Sequence, residues 1–165
     1  MQETQKAYWA GMLDGEGSII ISKAGNKNPK WHPSHFLRVM IGQSNKEFVT
    51  LAQKEFECGS ITERIMKERV INGVTTTKRS VIWYWHTTTN NAEKVLKLLL
   101  PHLKLKKKQA EIALEFQQYK RKTTPRGRVE NGKYASLTDE AFKTREAFKQ
   151  QISALNNNSS TYDEA

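Results

Sequence analysis

The stretch Trp9-Ala10-Gly11-Met12-Leu13-Asp14-Gly15-Glu16-Gly17, running straight into Ser18-Ile19-Ile20-Ile21, decides how this 165-residue chain is read. Ala7, Gly11 and Gly15 recur at i, i+4 and i+8, so a helix from about Thr4 to Gly15 carries a stripe of small side chains along one face. Such a stripe lets another backbone come close and calls for a partner helix. Gly17 stops the helix, and Ser18 to Lys23 reads as a strand. Two acids, Asp14 and Glu16, stand at the junction. A bare Asp-Gly-Glu-Gly would be an ordinary helix-to-strand turn with solvated carboxylates; the stripe before it and the pattern after it set this one apart.

Outward from that junction, Gly25 to Pro33 is a loop rich in Asn, Lys and Pro, and His35 to Gln43 alternates as a half-buried strand. Ser44-Asn45-Lys46-Glu47 has the form of a capping box opening a helix through Phe48, Leu51, Ala52 and Phe56 that closes near Cys58-Gly59. Ser60 to Arg69 and Thr75 to Thr87 form a long hairpin turning at Asn72-Gly73. Asn90-Asn91-Ala92-Glu93 starts a helix that Pro101 breaks, and another runs from about Lys104 to Lys122. Thr123 to Lys133 is a basic loop. Thr138 caps a last helix through Phe142, Arg145, Phe148, Ile152 and Leu155. The order is α-β-β-α-β-β-α plus C-terminal helices, an α+β chain. Residues 1–155 read as one domain and 156–165 as a polar, mobile tail. The first helix has no internal repeat, so a second copy must come from a second chain.

Lys and Arg total 27 against 17 acids, a net charge of +10, which suits a protein that replaces phosphate counterions. The absence of an apolar run near membrane-spanning length, and of a signal or lipidation motif, argues against a membrane role. The single cysteine, Cys58, excludes an intramolecular disulfide framework and a multi-Cys zinc module, and points to the cell interior. His32, His35, His86 and His102 lack metal-ligand spacing, and Trp9 and Trp31 read as packing residues.

Trp9 to Gly17 followed by Ser18-Ile19 resembles the LAGLIDADG motif of the homing endonucleases, in their single-motif, homodimeric branch. The resemblance extends to Gln43, ending the second strand before a capped helix, and to Pro101-His102-Leu103-Lys104-Leu105-Lys106-Lys107-Lys108-Gln109-Ala110; it covers roughly Tyr8 to Leu155. It implies the family's fold, a curved antiparallel DNA-binding sheet with helices on its other face. It also implies a site-specific enzyme making a staggered double-strand break in a long, nearly palindromic DNA target.

Two first helices packed through Ala7, Gly11 and Gly15 about a twofold would bring both Glu16 carboxylates together. Hard oxygen ligands suit Mg²⁺, or Mn²⁺, at that twofold. The resemblance adds the Gly15 carbonyl as a metal ligand, Lys106 as the active-site lysine and Gln43 as its water-positioning partner. Glu16 stands where Asp is more usual in the family. Glu47 stands where some relatives carry a basic residue, and its place in the cap explains it. Asp14 and Glu16, two apart on a helix, point in different directions, so Asp14 is expected to serve helix capping and hydrogen bonding at the dimer interface, along with Ala7, Gly11 and Gly15.

Alternation nominates the DNA readers of the major groove. They are Ser22, Ala24, Asn26 and Asn28 on the first strand, and Ser34, Phe36, Arg38 and Met40 on the second. On the hairpin they are Thr62, Arg64 and Met66, with Lys78, Ser80, Ile82 and Tyr84, while Val81, Trp83 and Trp85 face the core. Arg38 and Arg64 are the expected guanine readers. Phosphate contacts are assigned to Lys23, Lys27, Lys120, Arg121, Lys122, Arg126 and Arg128, with Lys104, Lys107 and Lys108 phosphate-facing or solvated.

The expected partners are double-stranded DNA and a second copy of the chain. The expected location is intracellular: an organelle (chloroplast or mitochondrion), or archaeal or bacterial cytoplasm. The lack of flanking self-splicing segments favours a free-standing, intron-encoded form over an intein. The alternative is a binder without chemistry, either an RNA maturase acting on intron RNA or a non-cleaving sequence-specific DNA-binding protein. A generic basic scaffold would bind without sequence preference. Retention of Glu16 and Lys106 favours the nuclease.

Overall fold

The computed structural model describes residues 1–25, 32–67, 69–71, 74–77, 80–125 and 136–158. The chain runs α1 (Glu3–Glu16), β1 (Gly17–Ala24), β2 (Ser34–Gln43), α2 (Lys46–Phe56), β3 (Ser60–Met66), β4 (Arg69–Ile71), β5 (Val74–Thr77), β6 (Ser80–Thr88), α3 (Thr89–Leu99), α4 (Lys107–Thr123) and α5 (Asp139–Asn158). Four strands form an antiparallel sheet in the order β1-β2-β6-β3. The short ribbon β4-β5 continues the expected hairpin, with Ile71 paired to Val74, while Asn72 and Gly73 lie outside the described residues.

One face of the sheet makes the core. Ile19 and Ile21 of β1, His35, Leu37, Val39 and Ile41 of β2, and Trp85 and Thr87 of β6 are all buried on it, at the period of two that a strand dictates. Over them pack Trp9 and Leu13 of α1, Val49 and Ala52 of α2, Leu96 and Leu99 of α3, Ala113 and Phe116 of α4 and Ile152 of α5. Trp9 is the packing residue expected of it, with Phe48 and Phe56 against its ring; Trp31 lies outside the described residues.

Several boundaries depart from the sequence reading for identifiable reasons. The α2 cap is Asn45, whose side chain accepts from the Glu47 amide at 2.8 Å, so the helix opens one residue later than a box on Ser44 would have it. Pro101 does break the chain after α3, in a single 3-10 turn (Leu100–His102). The next helix then starts at Lys107, later than its periodicity suggests, because Asp14 takes the amides of Lys104 and Lys106. Thr138 caps α5 as expected, accepting from the Ala141 amide at 3.2 Å. Asn156, placed in a mobile tail by composition, instead lies in α5 and donates to the Ile19 carbonyl at 3.1 Å; residues 159–165 lie outside the described residues. No helix among the described residues is long and apolar enough to cross a membrane.

Candidate active site and nucleic-acid interface

The junction of α1 and β1 is tight. A β-carbon on Gly17 would fall 2.7 Å from the Leu13 carbonyl oxygen, and the Gly17 amide closes the helix by donating to that same oxygen. This sharp exit leaves Glu16 exposed at the helix end. It also leaves the Gly15 carbonyl with no amide four residues ahead within the helix.

Three sequence-nominated groups gather there. Gly17 pairs with Ile41, and Gln43 lies two residues beyond Ile41 on the same strand, about 7 Å further along at the sheet end where α1 enters. The Gln43 side-chain oxygen accepts from the Ser44 amide at 2.9 Å and from the Ser44 hydroxyl at 3.3 Å, which leaves its NH₂ as the end that can donate elsewhere. Lys106 reaches the same place from the far side, its ammonium donating to the Asp14 carbonyl in the last turn of α1. Burial pushes the Lys106 ammonium below the ordinary lysine range, against the opposite pull of Asp14 and Glu16.

Asp14 has a role within its own chain. Its carboxylate is buried and both oxygens accept from backbone amides, Oδ2 from Lys104 at 2.7 Å and Oδ1 from Lys106 at 2.8 Å. The other three interface positions behave differently. Ala7, Gly11 and Gly15 are exposed along one side of α1, opposite the buried Trp9, Ala10 and Leu13, and Tyr8 beside them is 51% exposed. A β-carbon at Gly11 or Gly15 would meet nothing within 4 Å, so nothing among the described residues requires glycine at either position.

The register fixes the other sheet face without ambiguity. Ser22 pairs with Phe36 and Ala24 with Ser34. Thr62 pairs with Tyr84, Arg64 with Ile82 and Met66 with Ser80. Arg38 pairs with Thr88 and Met40 with His86. Directly paired residues share a face, so the nominated readers that are described share the face opposite the core. Asn26, Asn28 and Lys78 lie outside the described residues. The register adds Ser18, Ile20, Ser60, His86 and Thr88, which continuing each alternation to the strand ends would have found. The Arg38 guanidinium lies over the Phe36 ring, 5.5 Å from its centroid, with its Nε buried and unpartnered. Burial and the neighbouring Arg38 charge hold His86 below the usual histidine range. Tyr84 fills the space above Gly42, where a β-carbon would meet its ring at 2.6 Å.

The phosphate assignments divide. Lys122 is exposed, as expected. Lys23 lies on the helix side of β1 and pairs with Glu146 of α5 at 2.9 Å. Arg121 pairs with the buried Glu93, which also takes Lys97 at 2.8 Å. Lys120 is partly buried beside Arg145, and burial first, then that neighbouring charge, lowers its pKa. In the free chain Lys23 and Arg121 are ion-paired with carboxylates on other helices and Lys120 is partly buried, contacts that the sequence does not reveal. Lys27, Arg126 and Arg128 lie outside the described residues.

Comparison with known proteins agrees with this arrangement. The LAGLIDADG endonuclease family model matches residues 9–123. No curated protein sequence matches the chain. Among solved structures, the homing endonuclease I-CvuI, in complex with the I-CreI target in the presence of Mg, aligns with a TM-score of 0.68 and 16% identity over 98% of this chain and 85% of that one. The archaeal intron-encoded homing endonuclease I-Vdi141I, complexed with DNA, gives 0.63 and 14% over 99% and 89%. The I-SmaMI LAGLIDADG homing endonuclease bound to cleaved DNA gives 0.60 and 14% over 87% of this chain and 42% of that one.

Proposed function

Since the chain belongs to the LAGLIDADG endonuclease family, we propose that it is a homodimeric, intron-encoded homing endonuclease. In this reading it binds a long, nearly palindromic duplex and makes a staggered double-strand break by metal-dependent phosphodiester hydrolysis. One observation carries the reading: Glu16 stands exposed at the end of α1 while the Lys106 ammonium is held against the last turn of the same helix. A carboxylate and a cation at one helix end, at the edge of a sheet face carrying guanidinium, hydroxyl and aromatic groups, suit a phosphodiester better than a neutral substrate.

The exposed stripe supports dimerisation. Glycine in a helix interior costs about 1 kcal/mol relative to alanine, and Gly11 and Gly15 have open space around them in their own chain. A second α1 packed on that stripe gives the glycines their reason and brings two Glu16 carboxylates to a twofold axis. One chain supplies no group of three acidic, His or Cys side chains for a metal among the described residues. The donors that fit a hard cation are therefore Glu16 and the Gly15 carbonyl of both chains, which suits Mg²⁺ or Mn²⁺. When bound, the cation supplies Lewis-acid polarisation of the scissile phosphates. Lys106 offers positive charge to the phosphate as charge accumulates on it, and the NH₂ of Gln43 orients water at the same end of the sheet.

The test is cleavage of a plasmid library of sites with Mg²⁺. Wild type should cut a selected site, and Glu16→Gln should bind that site as tightly while cutting nothing. A wild-type protein that binds one duplex tightly and never nicks it would end the nuclease reading. Retained cleavage by Glu16→Gln would remove Glu16 from the mechanism.

A further inference from the structure

Lys106 lies in a stretch that ordinary secondary structure does not hold. The 3-10 turn ends at His102, α4 begins at Lys107, and the Leu105 side chain between them is 72% exposed. Leu103 anchors its start in the core, and between there and α4 the side-chain contacts come from one residue of α1. The two oxygens of Asp14 accept from the amides of Lys104 at 2.7 Å and Lys106 at 2.8 Å, and the Asp14 carbonyl accepts from the Lys106 ammonium. Asp14 is only 8% exposed, so these amides meet a carboxylate largely shielded from water, where charge-assisted hydrogen bonds are strong. One residue thus holds both the backbone and the tip of a side chain that would otherwise sample many rotamers.

The geometry points to Asp14 as a positioning residue for cleavage: it sets the Lys106 ammonium at the Glu16 end of α1, so that both groups meet one phosphate. The inference rests on the nuclease reading. It gives the buried acid of the motif a task distinct from that of the exposed one. Asp14 itself touches neither substrate nor cation; it acts through Lys106. Asn at this position keeps the shape but has one acceptor oxygen, so one of the two amides loses its partner.

The experiment compares wild type, Asp14→Asn, Lys106→Met and the double variant on the selected duplex, with binding measured in Ca²⁺ and single-turnover cleavage in Mg²⁺. Asp14→Asn should cut at least about tenfold more slowly while its Kd stays within about threefold of wild type. The double variant should cut no more slowly than Lys106→Met alone, because both substitutions remove one function. Multiplied losses in the double variant, or wild-type cleavage by Asp14→Asn, would overturn the proposal. Amide hydrogen exchange at Lys104 and Lys106 provides an arm independent of activity, run on Asp14→Ser if Asp14→Asn does not fold. Exchange should quicken at one of the two amides in Asp14→Asn and at both in Asp14→Ser, and unchanged protection would overturn the proposal. If wild type cuts nothing the nuclease reading falls, and the exchange arm still decides whether Asp14 holds the segment.

Discussion

His35 Nε2 of β2 lies 2.6 Å from Glu146 Oε1 of α5, and Lys23 of β1 reaches the same oxygen at 2.9 Å. The His35 ring is fully buried against Phe142, and its Nδ1 has no partner among the described residues. Burial, joined by the charges of Lys23 and Arg145, holds the His35 pKa below the usual histidine range against the upward pull of the Glu146 carboxylate. Glu146 is itself held below the usual carboxylate range: burial would raise it, but its hydrogen bonds to Lys23 and His35 prevail.

Both shifts act in the same direction with pH. A histidine depressed in the folded state stabilises the fold above its unfolded value of about 6.5, and that stability is lost as pH falls through this value towards the folded one. The depressed Glu146 adds stability above about pH 4.3 that is lost on further acidification. Urea midpoints should therefore fall from pH 8 to pH 5, well before carboxylates titrate. His35→Gln, which keeps a donor for Glu146, should flatten that fall in part, because His86 is depressed in the same sense. Equal wild-type midpoints at pH 8 and pH 5 would contradict this.

The glycines of the motif should separate cleanly. Gly17→Ala drives a methyl group into Leu13 and should cost about 1–3 kcal/mol of stability. Gly11→Ala meets open space and should raise the helix propensity of the isolated chain by about 1 kcal/mol. The same methyl group would hold two helices apart, so sedimentation equilibrium should show weaker self-association. Tighter association of Gly11→Ala would place the dimer contact elsewhere.

On the sheet, Arg38 and Lys122 should differ in kind. Arg38 stacks on Phe36 in the middle of the reading face, so Arg38→Ala should weaken binding to the selected duplex by about 1–3 kcal/mol and unrelated duplex much less. Lys122→Ala should weaken both alike and lower the salt slope, whereas Lys23→Ala, its charge already paired with Glu146, should leave that slope unchanged. Titrations at several salt concentrations distinguish the three.

What could be read in advance was what periodicity carries. The alternation of β2 and β6 placed Leu37, Val39, Ile41 and Trp85 inside and Arg38, Met40 and Tyr84 outside, and the family motif singled out Glu16, Gln43 and Lys106. What escaped was pairing at long range. Nothing local says that Lys23 meets Glu146, that Arg121 meets Glu93, or that Asp14 spans to the amides of Lys104 and Lys106, ninety and more residues on. A basic run looks the same whether its charges face phosphate or a carboxylate on another helix, so composition assigned Lys23 and Arg121 to DNA.

Arg145 poses a sharper question of which effect wins. It is 3% exposed, and its Nη2 donates to the Thr123 hydroxyl at 2.9 Å, the Thr124 hydroxyl at 3.1 Å and the Lys120 carbonyl at 3.3 Å, all at the C-terminal end of α4. A cation suits a helix C-terminus, yet Nε is left unpartnered and Arg145 makes no ion pair among the described residues. Desolvating an unpaired guanidinium costs several kcal/mol, about what three hydrogen bonds and the helix end return. Arg145→Met, which keeps much of the volume and discards the charge, should therefore change stability by less than about 1 kcal/mol. Arg145→Ala should cost about 2–4 kcal/mol through the space it leaves between α4 and α5. Removing the charge should also let the Lys120 pKa rise, since Arg145 is one of the two influences holding it down. Denaturation midpoints of the two variants decide the matter: a Met variant as weak as the Ala variant would show that the hydrogen bonds, not the packing, hold α5 to the end of α4.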